Sequence, residues 1–511
     1  MNTSIPLMPI FARQPKAWTV VPAAILGAAL TGCTVGPDYA PPPTPVPATY
    51  KELKGWRRAA PNDESDRGLW WLVFKDPKLN AFEPQVELSN KTVAAAEAAY
   101  RQSLAIIQKD QAGLFPTLAF NYNATGSYTG GSSGSFTTIP GTSVAVSTGG
   151  VSSTLAVSTL STNASWDLDL WGKIRRQVES DVAAAQVSAA DLANAKLSAQ
   201  GLLATAYYNL RAADALQALL DQTVMAYKKT LKITEHQHDA GTVSGADVAT
   251  AEAQVLAVES AAINVGVMRA QFEHAIAVLM GKPPADFSIP ASPLGHQIPD
   301  IPVSVPSALL ERRPDIAATE RTLQQQNALI GAAIALYYPD VNLSGLFGFS
   351  GTGALALAFA NELGSVGANV AQTAFDAGSR DAQVEAALAA YQQSVATYQQ
   401  TVLTAFQQVE DQLAAIRVLA RQQKVADRAV EVAQRELNLY LDQYEAGTVA
   451  FTAVVVAQTN LLAAEEATLA VRQNRFLAGV ALIEALGGGW NAELLPSRAT
   501  LEHLNPLIPR L

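Results

Sequence analysis

The sequence predicts a mixed membrane protein in which a few amphipathic β-strands join very long α-helices, with the whole order of elements present twice. Three observations carry this expectation. Short segments alternate apolar and polar residues with period two, and heptad patterns then run for more than 40 residues. Ala-Gly-Thr-Val occurs at residues 240–243 and again at 446–449. Only 16% of the 511 residues are charged, against roughly 25% in an ordinary soluble domain. Part of the surface is therefore expected to face something other than water.

Composition also excludes. With 45 acidic against 35 basic residues, and a formal charge of −10, the chain lacks the basic stripe of a nucleic-acid binder. Its single cysteine, Cys33, rules out an intramolecular disulfide framework and a cysteine-cluster metal site.

The N-terminus reads as a secretory signal. Arg13 and Lys16 precede an apolar run from Ala17 to Leu30, and small residues lead into Cys33. Leu30-Thr31-Gly32-Cys33 resembles a bacterial lipobox, so residues 1–32 are expected to be removed and Cys33 to carry acyl chains that anchor the protein to outer-membrane lipid. The mature chain then holds 33 basic and 45 acidic residues, a charge of −12. Residues 33–60 hold prolines at 37, 41, 42, 43, 45 and 47 and predict an extended tether along the body, outside the core.

The remainder divides into a first repeat at 61–290, a second at 291–490 and a C-terminal tail at 491–511. An offset of 206 maps Gly241 onto Gly447 and Gly172 onto Gly378, whereas Glu97 and Pro116 map onto Glu320 and Pro339 at 223. The first half thus holds 17 extra residues. They fall in the Gly/Ser/Thr-rich stretch around 129–160, which reads as a long flexible loop.

Each half begins with a helix, Asn90 to Leu114 or Pro314 to Tyr337, that ends at a proline. Strand signals follow. Leu118, Phe120 and Tyr122 alternate with small or polar residues, as do Val341, Leu343, Phe347 and Phe349. Trp166, Leu168 and Leu170 alternate with Asp167 and Asp169, the apolar-out, polar-in pattern of a transmembrane barrel, which casts both aspartates as lumen-facing. After Gly172 and Gly378 the period changes to heptads. From Val182 to Val224, 11 of 13 seam positions are apolar, and the positions 206 residues later repeat the pattern. Lys173 to His238 spans 66 residues, about 100 Å of helix. The chain reverses at Ala-Gly-Thr-Val, and shorter helices return over Gly245–Met280 and Phe451–Leu486.

Four strands cannot close a membrane barrel, and lipid does not tolerate an open edge. Oligomerisation is required: a dimer supplies eight strands and a trimer twelve, the larger ring leaving a lumen.

The chain resembles the outer-membrane factors of tripartite efflux systems, in particular the NodT-type lipoproteins related to TolC. The resemblance rests on Cys33 with Pro37-Asp38-Tyr39, Trp70-Trp71 with Phe74 and Asp76-Pro77-x-Leu79, and Trp166-x-Leu168-Asp169-Leu170-Trp171-Gly172-Lys173 with Arg175. It rests further on Glu311-Arg312-Arg313-Pro314-Asp315-Ile316, Phe375-Asp376-x-Gly378 and both Ala-Gly-Thr-Val turns, which together span nearly all of the mature chain. It implies a homotrimer, with a 12-stranded outer-membrane β-barrel continued by a coiled-coil α-barrel across the periplasm. It implies as partners a periplasmic adaptor, or membrane fusion protein, and an inner-membrane RND-type transporter.

The resemblance also implies that the helical tips contact the adaptor, here through Gly241, Thr242, Val243 and Ser244 and through Gly447, Thr448 and Val449. Relatives often carry aspartates just after the second turn, forming a cation-binding ring. This chain has Ala453, Val454, Val455 and Val456 there. In place of an acidic gate we expect a hydrophobic constriction from Val454 to Val456, with Asp247 and Glu252 as the nearest carboxylates and Tyr444 holding the tip closed.

Enzymatic chemistry finds no support. His236 and His238 lie two apart and point in different directions on a helix. His274, His296 and His503 are isolated, and Gly487-Gly488-Gly489 reads as a helix cap. No nucleophile, base and orienting group assemble. No cofactor, metal or nucleic acid is expected. The alternatives are a general diffusion porin, which would need many more strands, and a lipid-anchored periplasmic coiled-coil scaffold, which would need none.

Overall fold

A computed structural model describes residues 34–43, 46–52, 69–129, 136–138, 145–147, 153–295, 301, 309–352 and 361–502. Cys33 and the signal segment lie outside them. A 3-10 turn at Trp70–Phe74 precedes α1 (Pro77–Ser89), α2 (Lys91–Ala112), β1 (Thr117–Thr129), β2 (Phe136–Thr138), β3 (Ala145–Ser147) and β4 (Ser153–Leu168). Then come α3 (Lys173–Asp239), α4 (Gly245–Leu279), α5 (Leu309–Arg312), α6 (Pro314–Ala335), β5 (Asp340–Thr352), β6 (Asn361–Ala371), α7 (Ser379–Glu445), α8 (Phe451–Ala485) and α9 (Arg498–Glu502). The repetition is metric: α2 and α6 have 22 residues each, α3 and α7 have 67, and α4 and α8 have 35.

The main sheet is antiparallel in the order β1-β4-β5-β6. Below it the helices form a wall. Near the sheet α3 lies between α2 and α6, with α7 beyond α6. Farther down, α4 packs on α3, α8 on both α3 and α7, and the lateral order becomes α4-α3-α8-α7. The half-length helices stack end to end while α3 and α7 run the whole height.

Local chemistry explains the boundaries. Asn90 caps α2 by accepting from Thr92 N at 2.9 Å, and Asp76 caps α1 ahead of Pro77 by accepting from Lys78 N at 2.9 Å. α3 and α7 begin after Gly172 (φ 79°) and Gly378 (φ 86°), a left-handed conformation natural to glycine. The heptad seam is the core: Val182, Ala185, Leu203, Leu210 and Leu220 are buried, as are Val402, Ala405 and Val409 in the second repeat. Both repeats place a glutamine at the same seam position and tie it to an aspartate one turn later, Gln217 to Asp221 at 2.9 Å and Gln423 to Asp427 at 2.7 Å.

Two expectations need correction. The stretch 129–160 is not all loop: β1 extends to Thr129, β4 starts at Ser153, and β2 and β3 pair between them. Alternation of Thr and Ser with small apolar residues continues the pleat there despite the loop-like composition. The Pro-rich segment is also more than a tether. Tyr50 is buried in the same core as Trp70, Trp71 and Phe74. Buried Arg176 donates to the Val35 carbonyl at 3.0 Å and the Gly36 carbonyl at 3.2 Å, and Asn327 donates to the Pro37 carbonyl at 3.0 Å. Prolines lack a backbone donor, but the carbonyls of this segment, that of Pro37 among them, still accept.

Gly36 has φ 103° and sits directly on the Gly331 backbone. Gly36→Ala is expected to free this segment and to lower stability by about 1–3 kcal/mol. Limited proteolysis near residue 36 and thermal unfolding check both effects.

Candidate functional site

The site has two parts, the sheet and the tips. Strand register sorts the side chains of the sheet into two faces. One row runs Phe120, Thr162, Phe347, and its neighbours run Tyr122, Leu160, Phe349 and Leu118, Ala164, Gly345, Val366. Trp166, Leu343, Leu168, Val341 and Val370 fall on the same face. Phe120 is 80% exposed and Val366 95%, so a broad apolar surface stands open in the single chain. Glu362, opposite Phe349, is at the loop end of this face. The opposite face carries Asn121, Asn123, Thr159, Ser161, Asn163, Ser165, Asn342, Ser344 and Asn369. A sheet with one lipid-compatible face and one hydrated face is a piece of membrane barrel wall.

The two aspartates named from sequence separate here. Asp167 stays on the polar face, where Asn342 Nδ2 donates to it at 2.6 Å. Asp169 does not line that face, because β4 ends at Leu168. Its carboxylate instead accepts from the backbone N–H of Ile174 at 3.0 Å and Arg175 at 2.9 Å, and pairs with the Arg175 guanidinium at 3.1 Å. The second repeat uses Asp376, which accepts from Gly378 N and Arg380 N and pairs with Arg380 at 2.6 Å. That guanidinium holds the Asp376 carboxyl below its ordinary range. Each long helix thus starts beneath the sheet on a carboxylate that satisfies its free N–H groups and meets its positive end. Sequence alternation ran one step too far at Asp169, since the pleat stops where the helix needs its cap.

The tips are alike in backbone and unlike in packing. Gly241 (φ 75°) and Gly447 (φ 73°) end α3 and α7 in matching Schellman turns: Thr242 N donates to the Gln237 carbonyl and Thr448 N to the Gln443 carbonyl, each at 2.9 Å. Gly241, Thr242, Ser244, Gly447 and Thr448 are exposed, with Val243 and Val449 half-buried. His238 Nδ1 lies 3.0 Å from the Val243 carbonyl, and His236 is exposed beside it. Among the described residues no three His, Cys, Asp or Glu side chains gather as a metal site.

Several aperture candidates move. Asp247 forms a capping box with Ser244, accepting from the Ser244 N–H at 3.1 Å and the Ser244 hydroxyl at 2.9 Å, so its carboxylate serves the start of α4. Val454 is fully buried with Ala251, Leu437, Tyr444, Phe451 and Ala457, so it packs inside the chain and does not line a lumen. On α8, positions 451, 454 and 457 share the inward side, whereas Val456 is 57% exposed. Glu252 is exposed on α4. Tyr444 is buried, packs on Phe451 at 5.3 Å between ring centroids, and donates from its hydroxyl to Thr234 Oγ1 at 3.4 Å. A second contact went unnoticed in the sequence: Gln458 Nε2 donates to Thr230 Oγ1 at 3.0 Å, both side chains buried. Thr230 and Thr234, one turn apart on α3, are its only outward sign.

An amphipathic strip of sheet above a tall helical wall defines a class, the subunit of a membrane channel continued by an α-helical duct. The chain matches the outer membrane efflux protein family over residues 84–282 and 305–488 and belongs to that family. It is 29% identical over 481 residues to a toluene efflux pump outer membrane protein, TtgC, of Pseudomonas putida, covering 92% of this chain and 94% of that one. It is 30% identical over 479 residues to nodulation protein T of Rhizobium leguminosarum bv. trifolii, covering 90% and 96%. The solved outer-membrane channel OprN superposes with a TM-score of 0.80 at 29% identity, covering 90% of this chain and all of that one. The chain is an outer-membrane efflux channel protein.

Asp169→Ala is expected to destabilise the fold by about 1–2 kcal/mol through loss of the α3 cap. Asp167→Asn is expected to leave stability unchanged and to alter cation preference in planar bilayers. Thermal unfolding and reversal potentials read the two effects.

Proposed function

We infer that the chain is one subunit of a homotrimeric, lipid-anchored export duct. The duct receives small toxic molecules from an inner-membrane RND-type transporter through a periplasmic adaptor and passes them out across the outer membrane. The observation that carries this reading is a pair of incomplete edges. β1 and β6 end the four-stranded sheet, and three copies would join β6 of each to β1 of the next as a 12-stranded antiparallel ring.

The helical wall ends in the same unfinished way. Its lower edge helices, α4 and α7, each expose an apolar stripe: Leu256, Ile263 and Val267 on α4, and Val418, Val425, Val432 and Leu439 on α7 at intervals of seven. Wall helices alternate in direction, so α7 of one copy meets α4 of the next antiparallel. A head-to-tail contact of this kind closes into a ring. A porin lacks such a wall, and a periplasmic scaffold has no use for Phe120 and Val366 facing outward.

In this reading the exposed turns Gly241–Ser244 and Gly447–Val449 meet the adaptor, and acyl chains on Cys33 hold the duct at the membrane. Asp167 lines the lumen, with Val456 and Glu252 as the exposed aperture candidates. The closed periplasmic end is held within each subunit by Tyr444–Thr234 and Gln458–Thr230, together with the apolar packing of Phe451 and Val454. Conduction is passive, and energy comes from the transporter.

Ile263 and Val425 lie 18 and 20 residues from the tip ends of their helices. In Ile263→Cys/Val425→Cys, oxidation is expected to link subunits into a covalent trimer on non-reducing gels, whereas either single variant forms no such ladder. A monomer-only pattern refutes the ring. Gln458→Leu removes the buried bond to Thr230, worth about 0.5–1.5 kcal/mol, and Thr230→Val removes it together with the hydroxyl's own bond to the Ala226 carbonyl. Closed-state leak in planar bilayers is expected to rise about 2- to 10-fold.

A further inference from the structure

Glu83 has no part in barrel, tip or duct. On α1 it shares a buried stripe with Leu79 and Val86, is fully enclosed, and neither carboxyl oxygen has a hydrogen-bond partner. Glu484, near the end of α8, lies across Gly201 of α3, its carboxyl occupying the place a β-carbon would take. Beside the pair, Tyr208 stacks on Phe476 at 4.7 Å, its hydroxyl buried and unpartnered. Glu83 thus stands unpartnered in an apolar core, and the half-buried Glu484 enters the same region of the wall from α8.

The cations around them are engaged elsewhere. From α3, Lys196 pairs with Glu87 of α1 at 2.6 Å and Arg211 with Asp214 at 2.9 Å. Arg313, which reaches the Ala485 carbonyl at the end of α8, pairs with Asp315 at 2.6 Å. Lys282 points to Gln85 at 3.4 Å. The remaining acid of α1's start, Asp76, caps that helix and accepts from Tyr207 OH at 2.7 Å. An ionised Glu83 in this arrangement would therefore sit buried with neither a counter-ion nor a hydrogen bond, which is strongly unfavourable.

We propose that Glu83 is a proton-held latch: α1 stays packed on the middle of the duct wall while this carboxyl is neutral and loosens as charge develops on it beside Glu484. Burial first, and the Glu484 charge second, push the Glu83 carboxyl up to about 9; burial pushes Glu484 up to about 7. Both ionise near 4.5 when unfolded. Between 4.5 and 9 the folded state holds more protons than the unfolded one, so stability from this locus declines as pH rises through that window. The latch is tightest in acid.

The test uses the full-length protein in detergent or nanodiscs. Hydrogen exchange of α1 amides, corrected for intrinsic base catalysis, is expected to lose at least about tenfold protection between pH 6 and pH 9, the equivalent of one pKa unit. Glu83→Gln and the milder, less buried Glu484→Gln are expected to flatten that slope. Infrared spectra of the unmodified protein at pH 7 are expected to contain a neutral carboxylic-acid carbonyl band that vanishes on alkalinisation and is absent from Glu83→Gln. A wild-type spectrum without that band overturns the latch, as does an unchanged slope in both variants. Stabilisation of α1 at pH 9 by added sodium or calcium also overturns it, because the pair would then hold a metal cation instead of a proton.

Discussion

Backbone hydrogen bonding in lipid is the constraint on which this molecule depends. Four strands carry their own ladder between them, but β1 and β6 each leave an edge row of N–H and C=O groups with no strand partner among the described residues. In hydrocarbon each such group costs several kcal/mol, a penalty no side-chain packing within one subunit can offset. The apolar face that suits the sheet to lipid makes its edges intolerable there. In the proposed trimer, folding of the membrane part and association of subunits would be one event, and the family to which the chain belongs is one of channels.

The helices inherit the problem in a milder form. A wall with α4 and α7 at its edges exposes Ile263 and Val425 to water, a loss of hydrophobic burial that amounts to a few kcal/mol per large side chain at most. Inside the wall the chain is self-sufficient. Arg211, Asp214, Arg269 and Glu273 join α3 and α4 to the segment after them through bonds of 2.6–3.2 Å, including Ile289 and Ser292 backbone groups. Directional bonds of this kind fix one arrangement where apolar packing alone would permit sliding, although Arg211 engages through Nη1 alone. Duplication did not copy the network: at offset 206, Arg475 matches Arg269, but Ala420 stands at the place of Asp214 and Gly479 at that of Glu273. The second hairpin relies instead on Phe476, Val480 and Leu482 in the large apolar core.

Much of this was legible in the chain because it is periodic. Heptads marked the middle of the 67-residue helices, Gly172, Gly378 and the two Ala-Gly-Thr-Val turns marked their ends, and the shared offset marked the order of elements. Legibility ended where one residue's role depended on a neighbour distant in sequence. Asp167 and Asp169 look equivalent in an alternating string, yet one meets Asn342 across a strand pair and the other caps a helix. Val454 and Val456 differ only in which way a helix is turned, and that is set by Tyr444 and Ala251 on other helices. The Gln458–Thr230 bond spans 228 residues, and Glu83 is an ordinary charged residue until α1 packs its Leu79–Val86 stripe into the core.

The two tips show how much hangs on such distant contacts. Their reversals use the same four-residue sequence and the same hydrogen bonds, so backbone alone gives them equal stiffness. The first is closed locally by Ser244 and Asp247, a cap that travels with α4 wherever that helix goes. The second has Ala450 at the corresponding position and no side-chain cap. Phe451, Val454 and Tyr444 hold it against α3 and α4 instead. A displacement between the hairpins therefore leaves the first turn intact and strips the second of its support. The hydrogen bonds at Thr230 and Thr234 make that displacement discrete, because a buried glutamine amide separated from its acceptor must either find water or return.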